Sequence, residues 1–185
     1  MLHKAASSGN TDMAQCLVGH GADVNAKDNS DITVLQEVAS DGNRDMARWL
    51  VEHGVDVNAK DNSGITALHR AANAKKWDIV RLLVEKGADI NAKGTAGKTV
   101  LHVATFNNQL DLVQRLVKHG ADVNAKNNRG EIAKDYTYDE VIRDFLEEAK
   151  QSQISAVTPR FFQVQSLESG QSSESVPSEK PKPTK

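Results

Sequence analysis

Cysteine is nearly missing from this chain of 185 residues, with Cys16 the only one, and that excludes an intramolecular disulfide framework. No Asn-x-Ser/Thr site occurs either, so both absences point to a reducing, cytoplasmic setting. The sequence opens MLHKAASSGN, without the apolar core of a secretory signal, and it nowhere offers the ~18 consecutive apolar residues of a membrane span. A basic excess is lacking as well: a formal net charge of −2 leaves nothing to drive nonspecific binding to nucleic acid or a membrane surface. Aromatic residues make up 4% of the chain, too few for a large aromatic core, and all four prolines follow residue 150. What is plentiful is Ala, Val and Leu, small aliphatics that suit closely stacked helices.

Residues 94–99 read GTAGKT, which looks like the end of a phosphate-binding loop. Such a loop needs Gly, four residues, then Gly-Lys-Ser/Thr, so that successive backbone N–H groups curl round one phosphate while the lysine reaches the next. Here Ala92 takes the place of the first glycine, and Asp89-Ile90-Asn91-Ala92-Lys93 is polar and turn-like, not a buried strand. Nucleotide binding is therefore not expected.

The stretch belongs to a repeat. GADVNAK begins at Gly21, GVDVNAK at Gly54, GADINAK at Gly87 and GADVNAK at Gly120, 33 residues apart each time. Thr33-Val-Leu35-Gln36, Thr66-Ala-Leu68-His69 and Thr99-Val-Leu101-His102 keep the same register, and Leu2-His3 fits its last two columns. GTAGKT aligns with DNSDIT at 28–33 and DNSGIT at 61–66, a turn ending in a helix-capping threonine. A 33-residue period carrying T-x-L-H, a second apolar stretch and G-A-D-V-N resembles the ankyrin-repeat family over residues 1 to about 148. The resemblance implies an all-α solenoid of about four helix-turn-helix units with a shortened C-terminal cap, followed by a disordered tail. The units fall at about 1–27, 28–60, 61–93 and 94–126, the cap at 127–150 and the tail at 151–185.

The residues of one unit lead to the same picture. In the third copy Thr66 is placed to cap a short helix whose Leu68, Ala71 and Ala72 share a face, ending near Ala74. A second helix begins around Asp78, whose charge suits the positive end of a helix, as do Asp12, Asp45 and Asp111 in the other copies. Its stripe of Ile79, Val80, Leu83 and Val84 recurs as Met13, Ala14, Leu17 and Val18, as Met46, Ala47, Leu50 and Val51, and as Leu112, Val113, Leu116 and Val117. All of these are expected in the core. Between paired helices the family's glycine survives at Gly9 and Gly42 but becomes Lys75 and Asn108. A lysine held left-handed costs on the order of 1 kcal/mol, so the third repeat is expected to carry strain.

A helix pair alone leaves half its core open, so the ends of such an array need polar cover. The fifth unit replaces T-x-L-H by Ile132-Ala-Lys134-Asp135, shortens the first helix and closes with a helix that turns Glu147, Glu148 and Lys150 outward. The first unit has neither the preceding turn nor a cap, as in a frayed half-repeat or a piece of a longer array. From Gln151 the chain is rich in Ser, Gln, Glu, Lys and Pro and is expected to be disordered. Within it, Arg160-Phe-Phe-Gln-Val-Gln-Ser-Leu167 is an apolar stretch suited to docking on a partner or on the array.

Six histidines invite a metal reading, yet His69 and His102 fit a capping-box role shared with Gln36, while His20, His53 and His119 fall at helix C-termini. Equivalent side chains in stacked units are on the order of 10 Å apart, too far to share one ion. Cys16 shares a tolerant column with Trp49, Leu82 and Arg115, with no activating partner in register. No catalytic residue, metal or cofactor is expected. The remaining reading is a non-enzymatic, monomeric module that binds a protein, with neither nucleic acid nor a membrane as partner. By the family resemblance, binding uses the β-turn tips and the concave face of the first helices. The candidates are the positions there that vary between units: Ile32, Asp41, Ile65, Arg70, Asn73, Lys98, Phe106 and Asn107. Of these, Ile32, Ile65 and Phe106 are expected to be solvent-facing anchors.

Two alternatives stand beside that reading. One is a fragment of a larger ankyrin-containing protein whose catalytic or effector domain lies elsewhere. The other is a substrate of an asparaginyl hydroxylase, since a leucine stands eight residues before each of Asn25, Asn58, Asn91 and Asn124, the pattern that such enzymes read in this family. Hydrogen bonding within the turn explains the same asparagines.

Overall fold

The structure is a computed structural model; it describes the backbone of residues 1–157 and the side chains of residues 1–153. Contacts group Met1–Lys150 into one compact unit and Gln151–Lys185 into another. The expected tail beyond Val157, with the Arg160–Leu167 stretch, lies outside the described residues.

The helices come in pairs: α1 (Leu2–Ser7) with α2 (Thr11–Gly19), α3 (Val34–Asp41) with α4 (Arg44–Glu52), α5 (Ala67–Asn73) with α6 (Trp77–Glu85), and α7 (Val100–Phe106) with α8 (Leu110–Lys118). A 3₁₀ turn at Ala133–Tyr136 stands where a fifth first helix would begin, and α9 (Glu140–Val157) follows it. Among the described residues the extended pairing is limited to one antiparallel bridge, Lys27 with Thr33.

Each first helix starts where the threonine of T-x-L-H places it. Thr33 and Thr66 accept the N–H of Gln36 and His69, while Gln36 Oε1, His69 Nδ1 and His102 Nδ1 take the N–H of Thr33, Thr66 and Thr99 at 2.8, 3.3 and 3.2 Å. The second helices of the first two units are capped by Asn10 and Asn43, which accept from Met13 and Met46 N–H at 2.9 and 3.0 Å. Helices α6 and α8 have no side-chain cap. Asp139 performs the same service for α9 through Ile142 N–H.

First helices stack in one row, α1 on α3, α3 on α5, α5 on α7, with the Ala133–Tyr136 turn closing it; α4, α6 and α8 form the second row. The core between the rows is built from the expected stripes: Met46, Leu50, Ile79, Leu83, Leu112 and Leu116 are fully buried. The stripes depart from that expectation at Met13, which is 50% exposed, and at Leu17, Val18, Val51 and Val117, which are only partly buried.

Lys75 and Asn108 take the left-handed backbone foreseen for them, at φ +57° and +51°. GTAGKT forms a tight turn: Gly94 N–H donates to Lys98 O at 2.9 Å, and Gly97 holds φ +72° where a β-carbon would strike the Asn128 side chain. Its threonine begins α7, so it is a turn tip. In the cap, Asp135 accepts the Ile132 N–H at 2.9 Å, and Lys134 pairs with Glu147 at 2.7 Å. Helix α9 runs past Lys150, where the sequence reading ended it, to Val157.

Candidate functional site

Two columns of side chains fix how the turn tips and first helices line up; most of their bonds reach the backbone of the next unit, while Gln36–Ala59 and His69–Ala92 tie a first helix to the end of its own unit. In the T-x-L-H column, Gln36 Nε2 donates to Ile65 O (2.6 Å) and Ala59 O (3.2 Å). His69 Nε2 meets Ala92 O at 3.0 Å, His102 Nε2 meets Glu131 O at 3.2 Å, and His3 Nε2 meets Ile32 O at 3.0 Å. Because Nδ1 of His69 and His102 accepts the capping N–H, Nε2 carries the proton. Burial pushes the pKa of both rings below the ordinary value, against the opposing pull of the carbonyls that they bond.

The second column corrects the reading of the asparagines. Asn25 Oδ1 accepts Asp56 N–H at 2.7 Å while its amide donates to Gly54 O at 3.4 Å. Asn58 does the same to Asp89 (2.7 Å) and Gly87 (3.3 Å), and Asn91 to Asp122 (2.8 Å) and Gly120 (3.0 Å). The bonds inside each turn come instead from the aspartates: Asp23, Asp56, Asp89 and Asp122 each accept the N–H of the asparagine two residues on. Among the described residues Asn124 makes no such rung.

At the tips, Asp28 Oδ1 accepts the N–H of Ser30 and Ile32, Asp61 that of Ser63 and Ile65, and Asn127 that of Arg129 and Glu131. Gly94 has no side chain for this task, and the fourth tip takes a different form, with Ala96 at φ +57°. The other oxygen of Asp61 meets Arg70 at 2.8 Å. Burial raises the Asp61 pKa, but the Ile65 N–H, Arg70 and the Ser63 N–H outweigh it and leave the group below its ordinary value. On α3, burial pushes Glu37 up.

The expected binding residues fall into two groups. Ile65, Arg70 and Asn73 line an open cleft of about 490 Å³ that runs from Ser40 past Asp61 to Thr95. Lys98 and Phe106 meet at Tyr136, whose face lies under the Lys98 ammonium at 4.7 Å from the ring centre and whose ring makes a T-shaped contact with Phe106, centres 6.4 Å apart. The Tyr136 hydroxyl bonds Glu131, and Asn127 and Tyr136 together hold that carboxylate below its ordinary pKa. Phe106 is 66% exposed, as anticipated for an anchor, whereas Ile65 is only 8% exposed. Ile65 lies at the root of its turn with both N–H and carbonyl bonded, so its side chain tucks against the array. Ile32 is half-buried for the same reason, Asp41 is exposed at the end of α3, and the Asn107 amide turns back onto Val103 O. The sequence reading missed Tyr136; its signal was the Ile-Ala-Lys-Asp-Tyr run that displaces T-x-L-H.

Cys16 is exposed, its sulfur 3.7 Å from His20 Nδ1. Among the described residues no group of three or more His, Cys, Asp or Glu is placed to hold a metal, and no helix is long and apolar enough to cross a membrane.

Stacked helix pairs riveted through their backbones, with irregular turn tips projecting from one end, define a repeat solenoid. A family model described as ankyrin repeats in three copies matches residues 2–94 and again 62–127. The chain belongs to the ankyrin-repeat family. Members of this family generally serve as protein–protein interaction modules and are typically non-enzymatic. No curated protein matches the chain.

Proposed function

We propose that the chain binds a protein partner through its turn tips and the face of its first helices, with Phe106 as the anchor. The carrying observation is the exposed ring itself. Phe106 ends α7 in a column filled elsewhere by Ser7, Ser40 and Asn73, so the fold asks only for a small polar residue there. An exposed phenylalanine forgoes roughly 2 kcal/mol of burial, and a partner's apolar side chain recovers it. Lys98 beside it, and Asp61, Arg70 and Asn73 along the cleft, supply a polar rim of both charges.

Phe106→Ser tests this. Capture of a partner from cytosolic extract by the full chain should weaken by about thirtyfold, the equivalent of about 2 kcal/mol, with the melting temperature within about a degree of the parent. A melting temperature lowered by several degrees would assign the ring to the seam between α7 and the cap instead.

A second reading concerns Asn124, which is exposed and lacks the rung that engages Asn25, Asn58 and Asn91. If a hydroxylase acts on this chain, Asn124 is the asparagine it reaches with nothing to break. Mass spectrometry should then show one added oxygen there before the other three, and modification in any other order removes the reading.

A further inference from the structure

A different surface lies at the far end of the first helices from the turn tips, where α5 passes into α6. At this junction the first two units carry Gly9-Asn10 and Gly42-Asn43: the glycines adopt the left-handed backbone and the asparagines cap the second helix. The third unit carries Lys75-Lys76 instead. Lys75 holds φ +57° despite its β-carbon, and Lys76 gives no side-chain cap. Both replacements work against the local fold, and both bring positive charge to one place.

The surroundings keep that charge together. The Lys76 chain lies across Gly42 of the preceding unit, with Cδ, Cε and Nζ within 3.0 Å of where a β-carbon would stand. A cleft of about 290 Å³ opens here, lined by Arg44, Lys75, Lys76, Arg81, Asp78 and the half-buried Trp77. Arg81 is already engaged by Asp78 at 3.2 Å and Asp111 at 2.8 Å. Arg44, Lys75 and Lys76 have no carboxylate within 4.0 Å among the described residues. Three unneutralised cations thus share one cleft in a chain whose formal net charge is −2.

We propose that this cleft binds a short acidic segment of a protein partner, its carboxylates meeting Arg44, Lys75 and Lys76 and its methylene groups lying on Trp77. Such a site stands apart from the turn-tip surface and goes beyond the function proposed for it. Nucleic acid fits less well: a phosphate chain needs a stripe of cations along its path, and here the exposed Asp45 follows Arg44 while Asp78, paired with Arg81, lines the cleft.

Fluorescence anisotropy of a labelled peptide with about six glutamates, titrated with the full chain at low salt, provides the test. The peptide should bind and be released by added salt. Lys75→Gly/Lys76→Asn restores the junction of the sister units, so it should weaken binding at least roughly tenfold while raising the melting temperature by roughly 4 °C. Arg44→Gln, at an exposed side chain, should weaken binding with the melting temperature unchanged, and Phe106→Ser should leave peptide binding as it was. The proposal is overturned if the peptide does not bind, if either cation variant binds it as well as the parent, or if an oligothymidylate of equal charge binds more tightly.

Discussion

His69 offers a measurement of how much the T-x-L-H column contributes. Its ring is buried, takes the Thr66 N–H on Nδ1 and gives its Nε2 proton to Ala92 O at 3.0 Å. His69→Ala removes both bonds and strands a buried carbonyl and a buried N–H, at about 1 kcal/mol or more each, and leaves a void; a loss of about 3 kcal/mol is expected. His69→Gln should cost less than about 1 kcal/mol, because Gln36 in the same column takes Thr33 N–H on Oε1 at 2.8 Å and donates from Nε2 to Ala59 O and Ile65 O. Urea unfolding followed by the fluorescence of Trp49 and Trp77 reads both variants. Acid adds a second axis. Burial holds the folded-state pKa of His69 and His102 below the ordinary 6.5, so the unfolded chain takes up protons first. Their contribution is whole above about pH 6.5 and declines as the pH falls below that value toward the lowered folded-state pKa. Replacing both rings by Gln should flatten this decline between about pH 7 and 5.5. Equal damage from Ala and Gln at position 69, or an acid slope untouched by the double Gln change, would refute the account.

Two further outcomes follow from the same geometry. Asn58→Ala should destabilise by about 1–2 kcal/mol in denaturant unfolding despite its exposure, because Asp89 N–H and Gly87 O lose their partner, whereas Asn124→Ala should cost under about 0.5 kcal/mol. Leu83→Ala, at a fully buried site between two units, should cost about 2–5 kcal/mol, and thermal unfolding of Leu17→Ala should show less than half that loss, since Leu17 is only partly buried.

The period and its contents were legible because they are local. A threonine three residues before Gln or His specifies a capped helix start, and Leu, Val and Ala at helical spacing specify a buried stripe; each appears where the residues placed it. What could not be read depends on neighbours. Met13 occupies the same column as Met46, yet one is half exposed and the other buried, because only the surroundings differ. The asparagines' bonds were assigned to their own turns since the residue type suits both a turn and a rung, and only the distance between stacked units decides. Ile65 sits at a turn, a position that suggests solvent, but the donor that captures its carbonyl belongs to the preceding repeat. Tyr136 stands in the column of Lys4, Glu37, Arg70 and Val103, but its contacts with Lys98 and Phe106 arise only where the cap stacks on the fourth unit, so the column did not reveal them. The end of α9 escaped because its polar continuation after Lys150 lacks the apolar stripe by which the other helices announced themselves.

Every rung of both columns lands on a main-chain atom: the N–H of Asp56, Asp89 and Asp122, and the carbonyls of Ile32, Ile65, Ala92 and Glu131. Any amino acid supplies a carbonyl and any but proline an N–H, so these rungs ask for no particular side chain in the unit that follows. A coding segment of one period can therefore be copied, dropped or exchanged inside the gene, and the joints re-form as long as the register is kept. The cap demonstrates this tolerance, since the Glu131 carbonyl serves His102 although T-x-L-H is replaced in the turn that follows. Mutation is left at liberty on the tips, the cleft and the helix junctions, and it is there that the copies have drifted apart into Lys98, Phe106 and the Lys75-Lys76 pair. Inheritance of the scaffold and invention of its specificity are thus written in separate columns of the same thirty-three-residue line.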